Sequence, residues 1–203
     1  MRVLSAVALL LSLPCTLIAQ APAPLRQVTG GALVSKSDPA AAFVVDSAFH
    51  YVGGQVIDIL RVAGAEQHFF VDAAPNHSIR RFWWLQFEHY YPENNYTYDY
   101  SGLQQEPVVV GSLAFMGDVR ARPHYFTMDD RPGSDSKAAE NYLRAHGYSL
   151  EGTFVTLRLF HLPDASRRRE LMLIYGEVLP DGAPEQTVAS AIKGRARASI
   201  SIR

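Results

Sequence analysis

Apolar and polar positions along the chain follow two different periods. Residues 55–62, 66–73 and 79–90 are rich in β-branched and aromatic side chains, and short joints at 63–64 and 74–78 separate them. Runs of this kind between turn-forming residues predict three antiparallel strands in a meander. Gly64 can supply the positive φ of a tight hairpin, and Pro75-Asn76 breaks the second joint. A fourth strand is predicted over 107–116, where Val108-Val109-Val110 suggests burial on both faces. The period then changes. Ser134 stands where it can cap a helix over 135–146, with Ala139, Tyr142, Leu143 and His146 on one stripe and Gly147 at the end. Residues 153–162 and 170–179 read as a second hairpin. A second helix starts near Pro184 and runs toward Ala198, with Val188, Ile192 and Ala196 on its apolar side.

Strands, helix, strands, helix is the order of an α+β fold, an antiparallel meander sheet with two helices packed on it. The alternative is a β-barrel with an attached helix. Residues 43–203 are expected to form a single domain, and 21–42, rich in Ala, Pro, Gly and Ser, an extended lead-in.

Joint lengths also imply a register. A two-residue turn at Ala63-Gly64 and a second joint centred near Asn76 align polar rows on one face. Arg61, Glu66 and Gln86 form one row, and Ile59, His68 and Trp84 the next. Ile57, Phe70 and Phe82 follow, and Gln55, Asp72 and Arg80 close the far end. The opposite face carries Val56, Leu60, Phe69, Val71, Trp83, Leu85 and Phe87, so both sides of the meander are largely apolar. A buried large aromatic is worth about 2–3 kcal/mol. Each side therefore needs cover or a ligand.

The first twenty residues change the setting. Arg2, an uncharged apolar run and a small-residue exit into Ala21-Pro22 have the layout of a secretory signal peptide over 1–20. The chain is expected to be exported, periplasmic or secreted, with no membrane span once the leader is removed. Cys15 is the only cysteine, so the mature chain has no disulfide and must hold together by packing. It also has no thiol for zinc-thiolate, iron–sulfur or cysteine-nucleophile chemistry. A formal net charge of −1 with scattered basic residues argues against a nucleic-acid partner. Lysine occurs only at 36, 137 and 193 among many arginines, which suits a GC-rich bacterial genome.

Catalytic signatures are absent. Ser134 and Lys137 fit a Ser-x-x-Lys spacing, but the companion elements of that enzyme class are missing, and a capping serine is the expected role. Glu66 and His68 alternate onto one side of a strand, and Glu88-His89 lie on the next, yet no spacing compels a metal site. No cofactor is assigned. The Tyr-rich stretch 90–100 could stack on sugars or meet a partner, or could cover the core with its hydroxyls wet.

These features lead to an expected function of binding a small apolar or amphipathic ligand at Arg61, Glu66, His68, Trp84 and Gln86. The alternatives are a hydrolase using a Glu66/His68 pair and an envelope interaction protein using its tyrosines. Oligomeric state has no signature.

Overall fold

Two antiparallel sheets and two helices make up the computed structural model, which describes residues 22–103, 107–123 and 131–203. The leader expected over 1–20 lies outside them. The large sheet has seven strands: β4 (His50–Ile59), β5 (Ala63–Ala73), β6 (Ile79–Tyr90), β7 (Val108–Val110), β8 (Leu113–Pro123), β9 (Thr153–His161) and β10 (Arg169–Val178). Their order across the sheet is β4-β5-β6-β10-β9-β8-β7. The small sheet has the order β1-β2-β3-β11, from β1 (Gln27–Thr29), β2 (Ala32–Ser35), β3 (Ala41–Val45) and β11 (Ile200–Ile202). Helices α1 (Asp135–Ala145) and α2 (Glu185–Ser199) complete an α+β fold with no closed barrel. Among the described residues no helix is long and apolar enough to cross a membrane.

Helix signals behave as their chemistry demands. The Ser134 hydroxyl accepts from Lys137 N at 3.2 Å, and Gly147 takes a positive φ of 83° just past the end of α1. Ala139 and Leu143 are buried beneath α1, and Ile192 and Ala196 beneath α2.

Each face of the large sheet has its own core. Under the small sheet and α2, Phe70, Trp83, Leu85 and Phe87 pack with Leu33, Phe43, Ile192 and Ala196. Under α1, Phe69, Val71, Phe82 and Trp84 pack with Ala139, Leu143 and Ile174. The segment expected as a lead-in supplies β1 and β2, whose hydrogen bonds go to each other and to β3. The fourth expected strand divides into β7 and β8 at Gly111, where φ is 59°.

The meander exists, but its turn and register differ from the expected ones. The first turn is at Leu60-Arg61, both with positive φ (50° and 60°), closed by Val62 N donating to Ile59 O at 2.9 Å. These are the signs of a type I′ turn, which side chains other than glycine, asparagine and aspartate rarely enter. Asp58 Oδ1 accepts from Arg61 N at 2.7 Å, and Leu60 N donates to Gly133 O at 3.1 Å, which hold the geometry. Ala63 and Gly64 lie inside β5. Glu66 therefore faces Val56 on β4, and an irregular step between Asp72 and Ala73 sets it opposite Phe87 on β6, while His68 faces Gly54 and Leu85. A one-residue difference in register moves side chains to the opposite face. Trp84 and Gln86 accordingly lie on the face opposite Glu66 and His68.

Candidate functional site

Of the five residues expected to share one site, the structure keeps only Glu66 and His68 together. Arg61 stands on the exposed turn, and Glu66 pairs with Arg26 instead. Asp72 pairs with both Arg80 and Arg81.

Around Glu66 and His68 is a continuous hydrogen-bonded series. Arg26 donates to Glu66 twice, from its backbone N to Oε1 at 2.7 Å and from Nη1 to Oε2 at 2.9 Å. Glu66 Oε1 also meets His68 Nε2 at 2.7 Å, and His68 Nδ1 meets the Tyr51 hydroxyl at 2.9 Å. Burial pushes the Glu66 carboxyl up, but the bonds from His68 and Arg26 outweigh it and leave the group below its ordinary value. Glu66 is then an anion that only accepts, so Nε2 of the imidazole carries the hydrogen. In the neutral ring Nδ1 is an acceptor, and the Tyr51 O–H donates to it. Burial pushes the Tyr51 phenol up to about 12, with neighbouring Tyr142 and Glu66 adding to the effect.

Local backbone makes room for this series. A Cβ on Gly54 would stand 2.5 Å from His68 Nδ1 and 2.8 Å from Gln67 O. The irregular step between Tyr51 and Gly53 lets Tyr51 face Phe70 while Gly54 faces His68. His68 is wholly enclosed. Tyr51 is only half-buried and lines a cavity of about 670 Å³ between the small sheet and the start of β4. Val28, Val44, Val45, Phe49, Phe70 and Ile200 form its apolar walls, Asp46 and Arg197 bring charge to it, and His50 and three serines add polar groups.

The face under α1 has a different polar arrangement. Gln55, Gln67 and Gln86 bond in a ladder across three strands, each link 2.8 Å, and Gln55 and Gln67 also donate to backbone carbonyls of α1. Gln86 donates to Glu88 Oε2 at 2.7 Å. Glu88 lies directly across from Glu170 on β10. Burial, then the neighbouring Glu88, pushes Glu170 up to about 8. Burial, with a contribution from Asp135, also raises Glu88. Tyr98 donates to Glu88 Oε1 at 2.6 Å and Tyr100 donates to Glu170, so these tyrosines turn inward while Tyr96 remains 56% exposed. The described residues hold no group of three or more His, Cys, Asp or Glu placed to bind a metal.

Sequence reasoning missed Tyr51, Arg26 and Glu170. Tyr51 precedes Gly53-Gly54, a pair that reads as a strand breaker and here serves close packing. Glu170 left one usable signal, a carboxylate immediately before the apolar run Leu171-Met172-Leu173. Comparison of the chain with protein families, with curated proteins and with solved structures finds no match.

Proposed function

We propose that this chain is an exported bacterial binding protein that holds a small apolar or amphipathic molecule between its two sheets. The observation that carries the reading is the 670 Å³ cavity with apolar walls and a tethered phenol, Tyr51, on its lining. Ligand sites commonly occupy about 300–1,000 Å³ and combine apolar walls with a few placed polar groups. The leader-like residues 1–20 support export.

Fluorescence of 1-anilinonaphthalene-8-sulfonate, an amphipathic probe, tests the binding reading. The folded chain should enhance it saturably, and Val28→Trp, which fills the cavity from β1, should abolish the enhancement with little change in melting temperature. No saturable signal from the wild-type chain, or one indifferent to Val28→Trp, would remove the cavity as the site. Fractionation of an expressing bacterium with mass spectrometry of each fraction tests export: a chain in the periplasm or medium without its leader is expected, and a chain with intact Met1 confined to the cytoplasm is the contrary result.

A further inference from the structure

We infer that the cavity is hydrolytic, and that Tyr51, backed by His68 and Glu66, carries protons during water-driven cleavage of an uncharged ester. The inference rests on the cavity being a ligand site and adds a reaction to it.

A base in hydrogen-bond contact with a hydroxyl, itself oriented by a third group, is the arrangement shared by many hydrolytic centres. Here the links are 2.9 Å from Tyr51 to His68 Nδ1 and 2.7 Å from His68 Nε2 to Glu66. His68 is enclosed and cannot touch a substrate, so Tyr51 is the catalytic residue and His68 and Glu66 position and power it. Arg26 keeps Glu66 anionic, so an imidazolium formed at His68 meets a negative partner at once.

The phenol keeps its proton at neutral pH, which makes it a poor nucleophile and a good proton conduit. Water adds through its oxygen to the ester carbonyl carbon and passes a proton to Tyr51 Oη, while the original Tyr51 proton moves to His68 Nδ1. Collapse of the tetrahedral adduct breaks the bond to the alcohol oxygen. That oxygen takes a proton from Tyr51, and His68 returns its own to the phenol. One ester and one water become one acid and one alcohol, and the side chains end as they began. Valine, phenylalanine and isoleucine walls suit a neutral ester with an apolar acyl or alkyl group.

Hydrolysis of p-nitrophenyl butyrate by the full chain, with 1-anilinonaphthalene-8-sulfonate binding measured in parallel, tests this. The wild-type chain should exceed the buffer rate and show a normal solvent deuterium isotope effect. Tyr51→Phe and His68→Gln should each lower the rate by about 100-fold or more and remove the isotope effect. Tyr51→Phe decides if His68→Gln fails to fold. A wild-type chain that binds the dye yet hydrolyses at the buffer rate overturns the hydrolytic inference and leaves the binding reading standing. So does a rate that survives Tyr51→Phe and falls with His50→Gln instead. A wild-type chain that does not bind the dye removes the binding reading itself.

Discussion

Two buried glutamates on strands of one sheet, β5 and β10 on either side of β6, meet opposite fates. Glu66, under the small sheet, lies against Arg26 and His68 and is held below its ordinary value. Glu170, under α1, faces another carboxylate and is pushed up to about 8. Burial acts on both in the same direction, so the partner decides the sign. One face keeps its charge by pairing it. The other keeps a proton, because a buried carboxylate beside a second one cannot ionise cheaply.

The largest expected effect breaks the paired face. Glu66→Ala leaves Arg26 and His68 without their anion in a buried setting and should cost about 3–5 kcal/mol in urea unfolding. A loss under 1 kcal/mol would mean the series is loosely held. Glu170→Gln is expected to do the reverse on the opposite face, stabilising the fold at pH 8 by on the order of 3 kcal/mol with little change at pH 4.

The two faces should also answer pH with opposite sign. Glu66 binds its proton less tightly in the folded state, so its contribution is present above the usual carboxylate range and lost as pH falls through its lowered value. Glu170 binds its proton more tightly when folded. Its contribution is complete below the usual carboxylate range and is lost as pH climbs from there to about 8. Unfolding free energy measured from pH 3 to 9 should therefore fall on both sides, and Glu170→Gln should flatten only the alkaline side.

Smaller effects sharpen the contrast through packing and single bonds. A Cβ on Gly176 would come within 2.2 Å of the Phe82 ring directly across the strand pair, so Gly176→Ala should cost about 1–3 kcal/mol on the α1 face. Tyr98→Phe removes one bond to Glu88 and should cost about 1 kcal/mol in the same assay.

Element type was legible because it rests on local chemistry. The Ser134 cap, the Gly147 stop, the stripe of α2 and the meander all read directly from residue spacing. The site was not legible, because it depends on register. Leu60 and Arg61 carry no turn signal, while Gly64, which does, stays in a strand where a Cβ would stand 2.9 Å from the His89 ring. Trp84 and Gln86 moved away from His68 through a second irregularity, the step between Asp72 and Ala73 that leaves Arg80 as an extra residue on β6. Glu66 and His68 stayed together because residues two apart on a strand share a face whatever the register. Arg26 reaches Glu66 across forty positions of chain, which no local pattern announces.

The cavity wall draws on both extremities of the described chain. Val28 and the Gly30-Gly31 turn come from its early strands, while residues 197–201 come from its last helix and strand, and β11 hydrogen-bonds to β3. Residues far apart in sequence must therefore meet before the chamber has all its walls. Molecules clipped within α2 would lack a wall, so occupancy of the chamber reports that α2 and β11 are in place.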